Sequence, residues 1–81
     1  MKLIKFEAEW CSACKAQDKL LEAAKESLPS ITVYDVEEFP DTANEYNIRS
    51  LPTIIVLDDD NNEVHRFVGL TPINKIQESI K

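Results

Sequence analysis

Hydrophobic and polar residues follow two different periodicities along the chain, and these divide its first part into a strand and a helix. In segment 2–8, Leu3-Ile4 and Phe6 stand among polar residues, a pattern typical of a strand. From residue 12 to about residue 28, apolar residues recur at helical spacing with charged residues between them. The apolar positions of this predicted helix are Ala13, Ala16, Leu20, Leu21, Ala24 and Leu28. The pattern therefore predicts an amphipathic helix that begins directly after the first strand.

The middle of the chain returns to a strand pattern. Pro29-Ser30 interrupts the helix, and residues 31–36 are rich in β-branched and aromatic residues. Strand, helix and strand in succession normally form a parallel pair through a right-handed crossover, and we expect this pair at the centre of the sheet. A short helix is predicted over residues 41–47, with Ala43 and Tyr46 facing inward.

The last third of the chain predicts a hairpin and a final helix. Residues 51–57 form a nearly continuous apolar run, which is typical of an interior strand covered on both faces. A polar turn at 58–62 and the alternating segment 63–68 complete an antiparallel hairpin. Thr71 is expected to cap the final helix, with Pro72 at its first position. The apolar stripe of that helix comprises Ile73, Ile76 and Ile80.

The predicted order of elements, β-α-β-α-β-β-α, indicates an α/β fold with a central four-stranded mixed sheet flanked by helices. At 81 residues the chain has room for a single domain, 1–81. Its net charge of -6 argues against binding to nucleic acid or to an anionic membrane. We find no secretory signal and no run approaching the roughly 20 apolar residues of a membrane span. We therefore expect a cytoplasmic protein, although a mature secreted form would have the same sequence features.

The two cysteines, Cys11 and Cys14, lie at the junction between the first strand and the helix. A disulfide between them closes a very short loop, so it would stabilise the fold by less than the roughly 3 kcal/mol of a loop of about 15 residues. A redox role is therefore the better explanation in a reducing compartment. Haem attachment would need His where Lys15 stands. A zinc site needs four ligands, and the chain offers two cysteines and a distant His65, although a homodimer sharing four cysteines would meet that number.

The predicted helix gives the two thiols different environments. A thiol attacks a disulfide as its thiolate, and an unperturbed cysteine has a pKa of about 8.5. Cys11 lies at or just before the helix start, where free N–H groups and the positive end of the helix dipole stabilise an anion. Cys14 lies one turn further on and is expected to be more covered. We therefore predict that Cys11 attacks the substrate disulfide and that Cys14 resolves the resulting mixed disulfide.

Three stretches of the sequence together resemble the thioredoxin family: residues 8–15 (AEWCSACK), 46–53 (YNIRSLPT) and 68–70 (VGL). The resemblance covers nearly the whole chain but lacks the family's first strand and helix, so it implies a shortened, minimal thioredoxin-like fold. It also implies a protein-disulfide reductase whose redox centre is the Cys11–Cys14 couple, with no other cofactor and no metal. The implied partners are oxidised protein substrates and, as electron donor, a flavoprotein similar to thioredoxin reductase. We expect a monomer.

The same resemblance implies where substrates bind. It places Pro52 in the cis form beside the disulfide, with the backbone of the preceding residue free to pair with a substrate strand. The predicted substrate-binding residues are Trp10, Ser12, Ala13, Leu51, Pro52, Gly69 and Leu70. Three of them have simpler explanations: Pro52 as a trans proline at a strand start, Trp10 as a core aromatic residue and Gly69 as a turn requirement.

One departure from the family concerns proton transfer. Thioredoxins usually carry a buried Asp beneath the second cysteine, proposed to take its proton, and the matching residue here is Lys5. The family's partner lysine falls at Val33. An ammonium near Cys14 would favour its thiolate but cannot act as a base while protonated. Lys5 is thus a candidate modulator of the Cys14 pKa, with a side chain that extends to solvent as the alternative.

A second departure concerns the redox potential. Ser12-Ala13 replaces the usual Gly-Pro between the cysteines, and Lys19 replaces the usual helix proline. A potential below about -230 mV would favour the reductase, whereas about -180 to -120 mV would indicate a disulfide oxidase or isomerase. A binding subunit that uses the fold without redox activity is the third hypothesis, and retained function after replacement of both cysteines would distinguish it.

Overall fold

The computed structural model describes residues 1–80 as a four-stranded sheet with helices on both faces. The strands are β1 (Lys2–Glu7), β2 (Ile31–Asp35), β3 (Thr53–Leu57) and β4 (Glu63–Val68). The helices are α1 (Ser12–Ala23), α2 (Pro40–Glu45) and α3 (Ile73–Ser79), with a 3₁₀ turn at Lys25–Ser27. The strand order is β2-β1-β3-β4, with β1 parallel to β2 and both other pairs antiparallel. The predicted order of elements and the mixed sheet are confirmed.

The parallel pair does not occupy the sheet centre as predicted. Strand β1 lies inside the sheet, but β2 is an edge strand, and its Val33 side chain is 48% exposed. The central pair is β1 with β3, which run antiparallel. The reason is burial: every residue of β3 is buried, so this strand needs a neighbour on each side, whereas β2 carries exposed residues that suit an edge.

Alternation along the strands builds one hydrophobic core on each face of the sheet. The core beneath α1 and α3, here called the α1–α3 core, contains Leu3, Leu21, Ile54, Val56 and Ile76. The core beneath α2, the α2 core, contains Ile4, Phe6, Ala43, Ile55 and Leu57. Strand β3 contributes to both cores, as predicted for a strand covered on both faces.

The inward face of helix α1 matches the prediction only in part: Leu21 is buried and Leu28 packs against the α1–α3 core. The buried residues of the helix are Cys14, Gln17 and Leu21, whereas Ala16 and Leu20 are exposed. The face is set by the disulfide and by hydrogen bonds of the buried Gln17 side chain as well as by apolar burial. The apolar pattern alone could not show this, because the inward stripe includes a polar residue.

The same helix ends earlier than predicted. It ends at Ala23, and a 3₁₀ turn leads on to Leu28. Leu28 has φ -117° and ψ 151°, an extended conformation. The proline ring of Pro29 disfavours helical geometry at the preceding residue, which explains why the helical pattern cannot continue to Leu28.

The short helix α2 has the predicted inward residues. Ala43 is buried, and the Tyr46 ring lies 5.6 Å from the Phe6 ring, measured between centroids. Within residues 1–80, no helix is long and apolar enough to cross a membrane.

The inward stripe of α3 is confirmed, but its predicted cap is wrong. Ile76 is buried, and Ile73 and Ile80 pack against the α1–α3 core. Pro72 is the N-cap residue, with a non-helical ψ of 144° and no side-chain capping bond. The Thr71 hydroxyl instead donates to the carbonyl oxygen of Gly69 at 3.0 Å, so Thr71 orders the preceding loop.

Substitutions of two valines on neighbouring strands test how far the stability of the fold depends on burial of β3. We expect Val56→Ala, at a fully buried position, to lower the free energy of unfolding by about 2–3 kcal/mol through lost burial and a cavity. The matched control is Val64→Ala on β4, where the side chain is 44% exposed and the loss should stay below about 1 kcal/mol. Urea unfolding of both variants measures the difference, and equal losses would contradict this description of the core.

Candidate active site

The two cysteines lie where α1 begins, directly after the loop that follows β1. Cys11 is the N-cap residue, with φ -91° and ψ 102°, and its sulfur accepts a hydrogen bond from the Cys14 N–H at 3.1 Å. The two residues form a disulfide, and their Cα atoms are 5.2 Å apart. The Cys11 sulfur thus takes the place of the oxygen of an ordinary N-cap side chain.

The cysteines differ in burial. Cys11 is 7% exposed and Cys14 is 1% exposed. Both belong to a small apolar cluster with Ala8, against which Ala13, Val36 and Leu51 pack. Cys11 is therefore the more accessible of the two residues, and Cys14 is almost completely buried.

Pro52 and Gly69 meet although they are far apart in the sequence. The Leu51–Pro52 peptide bond is cis, and the Pro52 carbonyl accepts a hydrogen bond from the Gly69 N–H at 2.8 Å. Gly69 has φ +87°, and a Cβ placed on it would meet no atom within 4 Å. The need for glycine is therefore conformational rather than steric. This bond joins the loop before β3 to the loop after β4, and Leu51 packs against the cysteine cluster.

Two large apolar side chains of the predicted docking surface are exposed. Trp10 is 71% exposed and Leu70 is 53% exposed, so Trp10 is not a core residue. The Trp10 indole N–H donates to the Glu37 carboxylate at 2.7 Å, which ties this side chain to the loop after β2. Of the two residues between the cysteines, Ser12 is exposed and Ala13 is half-buried.

Lys5 does not extend to solvent, so that alternative is wrong. Its side chain is fully buried, and its ammonium donates to the Cys14 carbonyl oxygen at 3.2 Å and to the carboxylates of Glu7 and Asp18. The sequence analysis did not identify these two carboxylates. Glu7 lies two residues after Lys5, on the same strand face, and Asp18 lies one helical turn after Cys14. These two spacings are the sequence features that could have indicated that both carboxylates lie near Lys5.

Gln17 is a third residue that was not predicted from the sequence. It is fully buried, its amide NH₂ donates to the Thr71 carbonyl oxygen at 3.1 Å, and its amide oxygen accepts from the Thr71 N–H at 2.8 Å. This pair of bonds attaches α1, one turn after Cys14, to the loop that follows Gly69. The sequence feature that could have indicated its burial is its position: Gln17 lies three residues after Cys14 and four before Leu21, on the same face of the helix.

Metal binding is not indicated by the arrangement of ligands. Among residues 1–80, no group of three or more His, Cys, Asp or Glu side chains is arranged to hold a metal ion. His65 is exposed on β4, and its ring stacks on Phe67 at 5.7 Å between centroids.

The fold and the site together define a class of protein. A pair of cysteines two residues apart, joined in a disulfide at the N-terminus of a helix that follows a central strand, is a dithiol–disulfide couple. This arrangement is that of a thiol–disulfide oxidoreductase.

Comparison with known proteins identifies the family. The family model described as thioredoxin matches residues 1–81. Thioredoxin of Chlamydia trachomatis is 43% identical over 70 residues, covering 84% of this chain and 68% of the relative. Thioredoxin of Staphylococcus aureus is 37% identical over 81 residues, covering 96% of this chain and 77% of the relative. The solved structure of thioredoxin 1 from Thermosipho africanus aligns with a TM-score of 0.83 at 33% identity, covering 99% of this chain and 90% of that chain.

The chain therefore belongs to the thioredoxin family. The predicted family, the thioredoxin-like fold and the activity of a protein-disulfide reductase with a redox-active cysteine pair are confirmed.

The Gln17 bonds give a prediction about the loop after Gly69. We expect Gln17→Met, of similar shape, to leave the buried N–H and carbonyl of Thr71 without partners, at a cost of about 1–3 kcal/mol for each group. The Thr71 amide should also exchange its hydrogen faster. Urea unfolding and amide hydrogen exchange measure the two effects.

Gln77→Met is the matched control, because the Gln77 amide donates to the Ser27 hydroxyl at an exposed site. We expect this control to change stability by less than about 0.5 kcal/mol. Unchanged exchange at Thr71 in Gln17→Met would show that the pair does not hold the loop.

Proposed function

We propose that Cys11 is the attacking thiol and Cys14 the resolving thiol in the reduction of protein disulfides. The Cys11 thiolate attacks one sulfur of the substrate disulfide, forms a mixed disulfide and releases the other substrate sulfur as a thiolate. Cys14 then loses its proton and attacks the Cys11 sulfur, which forms the Cys11–Cys14 disulfide and releases the second substrate thiolate. Two electrons pass from the two cysteines to the substrate.

The observation that carries this assignment is the capping bond at the start of α1. The Cys14 N–H points at the Cys11 sulfur at 3.1 Å, and the N-terminus of a helix favours negative charge. Cys11 is also the more accessible of the two residues. The thiolate is thus stabilised on the residue that a substrate can reach.

Protein substrates dock, in this proposal, on the surface around the disulfide. Exposed Trp10 and Leu70 offer apolar area that a protein chain can cover. Ala13 and Leu51 pack against the cysteine cluster. In this proposal, Ser12 and Gly69 complete the docking surface, and an extended substrate segment pairs with the backbone before Pro52.

The physiological setting is part of the same proposal. A flavoprotein of the thioredoxin-reductase type returns the Cys11–Cys14 disulfide to the dithiol. The chain acts as a monomer in this proposal. The cytoplasm is the expected compartment, because a dithiol carrier works where thiols are kept reduced.

Serine substitutions separate the two steps. We expect Cys11→Ser to reduce insulin disulfides, with dithiothreitol as electron donor, no faster than dithiothreitol alone, because no nucleophile remains at the accessible position. We expect Cys14→Ser to stop after the first step and accumulate a mixed disulfide on Cys11, visible by mass spectrometry of the intact protein. Ser30→Ala, at an exposed serine outside the site, serves as the control. A mixed disulfide that forms on Cys14 in Cys11→Ser, and none on Cys11 in Cys14→Ser, would reverse the roles.

A further inference from the structure

A polar cleft lies between the end of β1 and the first turns of α1, on the enclosed side of the disulfide. Its volume is about 420 Å³, and its lining residues are Glu7, Ala8, Glu9, Cys14, Lys15 and Asp18. Cys14, although only 1% exposed, is one of the residues that line this cleft, so water held in the cleft lies next to it. The resolving cysteine must lose a proton before it attacks, and an acceptor for that proton has to be reachable from this side.

Lys5 lies beneath the cleft and is not the acceptor. The ammonium has three donor hydrogens and three acceptors: Glu7, Asp18 and the Cys14 carbonyl oxygen. A lysine whose hydrogens are all donated is a cation without a free lone pair. Its charge, fully buried, is matched by the two carboxylates.

The two carboxylates are exposed enough to exchange protons with water. The Glu7 side chain is 27% exposed and the Asp18 side chain is 50% exposed, while Lys5 is not exposed at all. Each carboxylate therefore contacts the buried cation and borders the cleft that reaches Cys14.

Other charged groups around the cleft are placed differently. Glu9 and Lys15 line it without a hydrogen bond to Lys5 among the described residues. Across the sheet, Lys5 is paired with Val33 of β2 and Ile54 of β3, neither of which can titrate. Asp35 of β2 is opposite Glu7, and its carboxylate accepts from the Glu37 N–H.

We propose that Glu7 and Asp18, held by Lys5, accept the Cys14 proton through water in the cleft during the resolving step. The step begins with the Cys11–substrate mixed disulfide, a Cys14 thiol and an ionised carboxylate. It ends with the Cys11–Cys14 disulfide, a substrate thiolate and a protonated carboxyl group, so protons and electrons balance. The inference rests on the proposed role of Cys14 as the resolving thiol.

Lys5 is a positioning residue in this arrangement. Its bond to the Cys14 carbonyl oxygen fixes the first turn of α1 against β1, and its bonds to Glu7 and Asp18 hold both carboxylates at the cleft. The charge pattern common in the family, a buried acid beneath the second cysteine, is thus replaced by a buried cation with two acids around it.

Stopped-flow reaction of the reduced protein with an aromatic disulfide whose thiolate is coloured separates the two steps. The first equivalent of colour reports the attack by Cys11, and the second reports resolution by Cys14. For the Glu7→Gln/Asp18→Asn double variant we expect the second phase to slow by about tenfold or more at neutral pH, with the first phase unchanged. The slowed phase should recover as pH rises towards the pKa of about 8.5 of an unassisted thiol.

Three further variants serve as controls for this result. Glu22→Gln removes an exposed, lysine-paired carboxylate from the same helix and should leave both phases unchanged. Because the double variant leaves Lys5 without an anion, the triple variant that adds Lys5→Met is compared with Lys5→Met alone. We expect the triple variant to resolve several-fold more slowly than Lys5→Met.

Either of two results would overturn the proposal: a second phase unchanged in rate and pH profile in the double variant, or equal second phases in Lys5→Met and the triple variant. Loss of the first phase from the wild-type protein would instead contradict the proposed function, so the two failures are distinguishable.

Discussion

The hydrogen bond from the Cys14 N–H to the Cys11 sulfur is the interaction on which the site depends. It requires that a helix begin at Cys11. The interior strand β1 ends at Glu7, and the short loop that follows its carboxyl end leads to this helix start. One turn of helix then sets the distance between the sulfurs and leaves one accessible and the other enclosed. A helix start therefore supplies geometry, electrostatics and the difference between the two thiols.

The other walls of the site come from distant parts of the chain and are joined by few bonds. The Pro52 carbonyl holds Gly69, and Gln17 holds Thr71, so the loop between β4 and α3 is attached on two sides. Both attachments use backbone groups of the loop. A chain of 81 residues has a small hydrophobic core, so hydrogen bonds of this kind help to hold loops that a larger domain could hold by packing.

Much of this could be predicted from sequence because the signals were local or strongly periodic. The buried run of β3 and the cysteine spacing at a helix start each indicated one structure, and the cis form of Pro52, implied by the resemblance to the thioredoxin family, is present. The edge position of β2 was not predictable from its composition, because strand order depends on what covers each side.

Two of the missed residues, Gln17 and Asp18, are polar groups whose partners lie on other elements. Gln17 bonds to a loop 54 positions later, and Asp18 pairs with Lys5, 13 positions earlier. The periodicity of a sequence assigns such residues to a face of a helix or strand. It does not show whether a hydrogen-bond or ion-pair partner lies opposite that face. Lys5 can be buried because the carboxylates of Glu7 and Asp18 match its charge.

In the proposed mechanism, the charge arrangement separates the attack by Cys11 from the resolution by Cys14. The reactivity of Cys11 depends on the helix start, whereas Cys14 lines a cleft beside the buried cation Lys5.

The central claim is that the helix start makes Cys11 the reactive thiolate. Alkylation of the reduced protein by iodoacetamide across a pH series, followed by peptide mass spectrometry, tests it most directly, with the unfolded protein as reference. The account predicts that Cys11 is modified before Cys14 with a midpoint below the roughly 8.5 of a free thiol. Equal modification of both cysteines with a midpoint at or above that of the unfolded protein would contradict it.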